Sequence, residues 1–177
     1  MTEAKKKRLE KPKVEEILKN HDFSSFDCGR HSINEYLADY AWQNHRSGRA
    51  KTWVVCGNDN DNEVVGFYSI CPAEISYDEV VVDIRGGQPK GQRVPAYKIA
   101  QLGVDKDYQG AGLGKALFKD ALLNCFEAAK KVGGRVIIID ALDGDVVGFY
   151  HRYGFQRAIV TSNLMMLKIS DIGKSLE

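Results

Sequence analysis

The sequence predicts a mixed α/β fold, a mostly antiparallel central sheet flanked by helices. Three observations carry that prediction. Two apolar runs, Thr52–Cys56 and Val64–Ile70, sit either side of a polar turn and read as a hairpin. A strand over Ala96–Val104 runs through a glycine-rich loop into a long helical pattern, Leu113–Lys131. A nearly continuous apolar run, Arg135–Asp140, follows, of the kind buried on both faces. A hairpin followed by a β-loop-α-β unit is mixed α/β order.

The remaining elements follow from local signals. A weak strand is expected between Arg8 and Leu18. Ser32-Ile33-Asn34-Glu35 has the S-x-x-E form of a capping box. After it Ile33, Tyr36, Leu37, Tyr40 and Ala41 recur at helical spacing, which predicts a helix over Ser32–Arg46. In the turn Gly57–Asn62, alternating Asp59 and Asp61 suggest calcium, but an EF-hand loop wants glycine where Val64 stands, so a plain turn is expected. Asp78–Gln92 has no clear period. In the long helix Leu113, Leu117 and Ala121 form one row and Phe118, Leu122, Phe126 and Ala129 a second, giving a broad apolar face. Gly133-Gly134 ends it. A short helix over Val146–Tyr153 stops at Gly154, and a last hairpin uses Phe155–Val160 and Leu164–Ile169.

At 177 residues the chain is long enough for one domain with a real core, so 1–177 is expected to be a single domain with residues 1–8 as a mobile end. Hydrophobic residues at 44% and charged residues at 28% are those of a globular protein, not a disordered one. A net charge of +1 excludes a chain that is basic all over, but not a local basic face. Cys28, Cys56, Cys71 and Cys125 form no C-x-x-C pair and fit no zinc spacing, so reduced thiols, a cytoplasmic location and no metal are expected. No apolar run approaches the length of a membrane helix. Lys5-Lys6-Lys7-Arg8 is followed by no apolar segment, so it is not a secretory signal.

The segment Gln109-Gly110-Ala111-Gly112-Leu113-Gly114-Lys115 is an anion site by construction. Glycines let several backbone N–H groups face one point, and the helix start adds partial positive charge. A pyrophosphate is the natural guest. A Walker A loop needs glycine at the place of Gln109 and Ser or Thr at the place of Ala116. A dinucleotide fingerprint needs G-x-G-x-x-G, whereas Gly110, Gly112 and Gly114 alternate.

The same loop resembles the R/Q-x-x-G-x-G/A signature of the GNAT superfamily of N-acetyltransferases. The preceding Gln101-Leu102-Gly103-Val104-Asp105 is similar to that family's fourth strand, and Phe149-Tyr150-His151-Arg152-Tyr153-Gly154-Phe155 to its FY-x-x-x-GF segment. The resemblance implies a GNAT fold, splayed at the strand that receives acetyl-CoA. It implies that main chain of Leu102, Gly103 and Val104 holds the pantetheine arm. Main chain from Gln109 through Gly110, Ala111, Gly112, Leu113 and Gly114 to Lys115 would hold the pyrophosphate. Asp140, Phe149 and Tyr153 complete the implied cofactor-binding set.

Acetyl transfer needs a neutral amine and a proton for the departing thiolate. The resemblance places Tyr150 as that proton donor, with Tyr153 as its competitor. A phenol with a reference pKa of about 10 keeps its proton near neutral pH. A backbone N–H near Gly103 or Val104 is the expected oxyanion donor. No general base stands out: His21, His31, His45 and His151 are scattered and expected at the surface, and Glu74 and Asp140 have no support for that role. An α-amine, with a reference pKa of about 7.7–8.0, needs less help than lysine.

Asp22-Phe23-Ser24-Ser25-Phe26-Asp27-Cys28-Gly29 resembles the F-D-C-G opening of toxins from toxin–antitoxin modules that acetylate aminoacyl-tRNA, and QGAGLGKALFKDA from Gln109 to Ala121 is similar to theirs. That resemblance implies aminoacyl-tRNA as acceptor, a homodimer and a ribbon-helix-helix antitoxin. Arg85, Lys90, Arg93 and Lys98 are the candidate tRNA-binding cations. One departure is Gln101, where such toxins often carry arginine. The alternatives are a small-molecule amine or protein N-acetyltransferase, and a non-catalytic coenzyme A-binding domain.

Overall fold

The computed structural model describes residues 6–57, 62–161 and 163–175. Its strands are β1 (Val14–Glu16), β2 (Lys51–Cys56), β3 (Val64–Ile75), β4 (Val94–Val104), β5 (Val136–Asp140), β6 (Gln156–Arg157) and β7 (Leu164–Lys168). They form one sheet in the order β1-β2-β3-β4-β5-β7-β6. The β1–β2, β2–β3, β5–β7 and β6–β7 ladders are antiparallel, and β4–β5 is parallel. The helices are α1 (His31–Glu35), α2 (Ala41–Ser47), α3 (Val82–Arg85), α4 (Leu113–Val132), α5 (Gly144–Arg152) and α6 (Ile172–Ser175). The mixed, mostly antiparallel α/β architecture is the one the element order predicts. The acidic turn around Asp59 and Asp61 lies outside the described residues.

Contacts group the chain into two compact units, Met1–Ile70 with Gln101–Ala121, and Cys71–Ala100 with Leu122–Glu177. In the first, Ile17, Phe26, Ile33, Leu37, Ala41, Val54, Val64 and Phe67 form the core. The helix predicted as continuous over Ser32–Arg46 is divided there by a π turn, Tyr36–Tyr40, between α1 and α2. The capping box is not formed: α1 begins at His31, and Arg30 is its cap residue with no capping bond from its side chain. Asn34 bonds the preceding turn instead, accepting from Cys28 N at 2.9 Å and donating to Asp27 Oδ1 at 3.0 Å. Gly48, at φ +76°, closes α2 in the left-handed conformation that favours glycine.

In the second unit the core is Ile75, Val80, Ile84, Val94, Ala96, Val136, Ile138, Ala158 and Met166. The segment without a period becomes a 3-10 turn, Tyr77–Glu79, and the short α3. α5 starts two residues before the sequence pattern because Asp143 caps it, accepting from Asp145 N and Val146 N at 3.1 and 3.2 Å. β6 is shorter than the predicted Phe155–Val160. Glu79 takes the backbone there: its carbonyl accepts from Ile159 N, and its carboxylate from Val160 N and Thr161 N.

Candidate active site

The glycine loop belongs to the first unit. β4 leads into a 3-10 turn, Lys106–Tyr108, capped by Asp105, whose Oδ1 accepts from Asp107 N at 2.9 Å. Gly110 and Gly112 then take φ +81° and +89°, which turns successive amides toward one side. A Cβ on Gly112 would meet nothing within 4 Å, so the cradle is open. Ala116 N donates to Gly112 O at 3.0 Å and closes the first turn of α4; the amides ahead of it have no intrahelical acceptor. Gly110, Ala111, Gly112 and Lys115 are exposed, while Leu113 is buried and anchors the helix.

A network that sequence reasoning missed fixes the loop. The Gln109 side chain donates to Val104 O at 2.8 Å and to Cys28 O at 3.0 Å. Asp27 accepts from Lys106 Nζ at 2.6 Å, from Gly29 N at 2.9 Å and from Asn34 Nδ2. The Lys106 ammonium, then the Gly29 amide, then the Asn34 amide hold the Asp27 carboxyl down at about 2. Asp105 Oδ2 accepts from Asp27 N, and Asp27 O from Lys106 N. The turn Phe26–Gly29 and the loop entry are thus one hydrogen-bonded body. The available signal was Asp27-x-Gly29, the spacing of an Asx-turn. It says nothing of a partner 79 residues away.

Leu102, Gly103 and Val104 form the end of β4 just before the loop. A Cβ on Gly103 would lie 2.9 Å from Ile33 Cγ2, 3.2 Å from Phe67 Cε1 and 3.3 Å from Phe26 Cζ, so the strand passes against these side chains only because it has none there. Upstream, β4 pairs with β5 only over Ala96–Lys98 against Val136–Ile138, although β4 continues to Val104 and β5 to Asp140. The ladder therefore stops two residues short of the end of β5.

The second unit holds the aromatic segment. The Phe149 ring lies 5.5 Å from Tyr150 and 5.2 Å from Tyr153, and Tyr150 lies 5.9 Å from Phe155. Tyr150 is half-buried and Tyr153 buried, and burial raises the Tyr153 phenol above its ordinary value. Tyr153 therefore holds its proton more tightly than a free phenol does. Asp140 pairs with Lys98 at 2.6 Å, and Arg93 pairs with Glu74. Arg85 donates to Val80 O at 2.8 Å and stacks over the Tyr77 ring, whereas Lys90 is exposed. Three of the four candidate tRNA-binding cations thus already have partners.

Two histidines depart from expectation. His21 and His45 are buried, and each accepts a backbone N–H on Nδ1, from Leu18 and from Thr52. Desolvation, then the Lys51 charge, lowers the His45 pKa. His21 also lies with Glu15 and Cys56 in a group of metal-ligating type, their atoms within 4.8 Å of one another. Its ring offers that group little. With Nδ1 accepting, the neutral ring carries its proton on Nε2, 3.3 Å from Glu15, where a metal would need a lone pair.

A strand that runs into an open glycine cradle at a helix start is an arrangement suited to receiving an anion. A family model, the acetyltransferase (GNAT) domain, matches residues 48–157. The chain belongs to the GNAT acetyltransferase family, and is thereby an acyltransferase that depends on acetyl-CoA. It is 32% identical over 150 residues to a tRNA-acetylating toxin of Mycobacterium tuberculosis, spanning 85% of this chain and 87% of that one. Among solved structures, AtaT complexed with acetyl-methionyl-tRNAfMet has a TM-score of 0.85 at 20% identity, covering 94% of this chain and 100% of AtaT. A mutant AtaT toxin bound to the C-terminus of the antitoxin AtaR and acetyl-CoA gives 0.77 at 21% identity, covering 93% and 98%. These two likenesses establish the fold.

Proposed function

We infer that this protein transfers the acetyl group of acetyl-CoA to the α-amino group of aminoacyl-tRNA, and that it is a translation-blocking toxin of a type II toxin–antitoxin module. The observation that carries the acceptor is the near full-length likeness to the mycobacterial tRNA-acetylating toxin. The linkage of the Phe26–Gly29 turn to the glycine loop supports it, because it gives the toxin-like opening a task at the cofactor. The chain acts as one catalytic domain, as a homodimer in the cytoplasm, and is neutralised by an antitoxin of ribbon-helix-helix type.

Acetyl-CoA supplies an activated thioester. The amides of Gln109 to Lys115 receive its pyrophosphate, and main chain of Leu102, Gly103 and Val104 its pantetheine arm. Phe149, Tyr153 and Asp140 line the cofactor. A β4 amide near Gly103 or Val104 donates to the oxygen that gains charge as the amine attacks. Tyr150 delivers its phenolic proton to the departing sulfur, and an α-amine, whose reference pKa of about 7.7–8.0 is lowered further by the adjacent ester, makes a strong protein base unnecessary. Arg85, Lys90, Arg93 and Lys98 contact tRNA phosphates, with Arg93 and Lys98 exchanging a carboxylate for a phosphate.

The test has two parts. Expression of the chain in a bacterium arrests growth, and Tyr150→Phe does not. With purified protein, labelled acetyl passes to charged tRNA, and Tyr150→Phe lowers kcat by about 10²–10⁴-fold. Normal growth with both chains and no label on charged tRNA would sink the reading.

A further inference from the structure

The basic start of the chain is laid against the glycine loop. Lys7 N donates to Asp107 O at 2.7 Å, one residue before Tyr108, and the Lys7 ammonium stands 5.7 Å above the Tyr108 ring. Lys6 Nζ lies 3.0 Å from where a Cβ on Gly110 would stand, so its charge sits on the loop itself. The segment then enters β1, where Val14 pairs with Val55, and its path is fixed at both ends. Between this arm and the start of α4 is a cavity of about 180 Å³, walled by Lys7 and Arg8 on one side and by Tyr108, Ala111, Gly112 and Ala116 on the other. Glu10 also borders it, so the wall carries more positive than negative charge.

We propose that Lys6, Lys7 and Arg8 form a cationic strap that binds the phosphates of coenzyme A. The inference rests on the acetyl-CoA reading of the loop. The amides of Gly110 to Gly114 are partial charges in a fixed array, and can neutralise a diphosphate only in part. Three full charges beside that array supply the rest. The ligand favoured is the cofactor rather than a nucleic acid, because the strap closes on the glycine loop and shares a cavity with Ala111 and Gly112. Charges at an exposed wall act through screened attraction, so their contribution depends on salt.

The test is calorimetric titration of the full chain with coenzyme A, dephospho-coenzyme A and 4′-phosphopantetheine, at low and high salt. Lys6→Ala/Lys7→Ala/Arg8→Ala is expected to weaken coenzyme A binding about tenfold at low salt. The loss is smaller for dephospho-coenzyme A, smallest for phosphopantetheine, and shrinks at high salt. Lys6→Arg/Lys7→Arg keeps the affinity of the starting chain. Three results overturn the proposal: unchanged coenzyme A binding by the triple variant, an equal loss for all three ligands, or a loss seen only with tRNA. A starting chain that binds no coenzyme A removes the acetyl-CoA reading itself, and is thereby told apart from failure of the strap alone.

Discussion

Gln109 bridges two carbonyls, Val104 O at the end of β4 and Cys28 O in the Phe26–Gly29 turn. Truncation to alanine leaves both partly buried acceptors without that donor, at a cost of about 1–3 kcal/mol. Gln109→Ala is therefore expected to raise the KM for acetyl-CoA more than it lowers kcat, a split that steady-state kinetics reads directly. Asp27 makes a different prediction. Its carboxyl is held at about 2 by Lys106, Gly29 and Asn34, below the roughly 3.9 of an unfolded chain. The folded state therefore prefers the ionised form. Asp27 contributes stability above pH about 4 and loses it progressively as pH falls toward 2. Asp27→Asn should flatten that part of a melting-temperature profile against pH, and an unchanged slope would contradict the assignment.

At the scale of elements, β4 decides most. Gly103→Ala places a methyl group within 2.9 Å of Ile33, with Phe67 and Phe26 close behind. Two of these neighbours are rings, which cannot yield as a flexible chain end can. The substitution is expected to cost about 1–3 kcal/mol, measured by urea unfolding. Much of this level was legible in the sequence. The hairpin of β2 and β3, the long α4 and the buried β5 follow from period and composition, because their residues bury by rule. Three things were not legible. The π turn inside the first helix is a packing outcome, with Leu37 buried and Tyr36 stacked on Phe67 at 6.3 Å. The shortening of β6 depends on Glu79, a residue about 80 positions away in the chain. The buried histidines depend on single backbone amides, Leu18 N and Thr52 N, that no side-chain pattern encodes. The site divides the same way: the cradle glycines could be read, but the side chains that position them could not.

At the scale of the whole molecule, the limits of the two contact units fall inside regular elements. Ile70 and Cys71 are neighbours within β3, Ala100 and Gln101 within β4, and Ala121 and Leu122 within α4. Separate domains are joined by exposed linkers, where few hydrogen bonds cross. A single cooperative transition is expected. Fluorescence of Trp42 and Trp53, both in the first unit, should change together with far-ultraviolet circular dichroism of the whole chain. Two separated midpoints would show that the units unfold independently.

The early end of the β4–β5 ladder has an evolutionary consequence. Beyond Lys98 and Ile138, β4 carries peptide groups that are the same whatever the side chains. If Leu102–Val104 hold the pantetheine arm as proposed, a grip made of main chain is indifferent to mutation. Exhaustive substitution along Leu102–Val104 should therefore find tolerance for strand-compatible residues at Leu102 and Val104. At Gly103 tolerance should collapse, because there the peptide group comes with a steric condition. A family that must keep its cofactor while changing its acceptor gains freedom from such a strand.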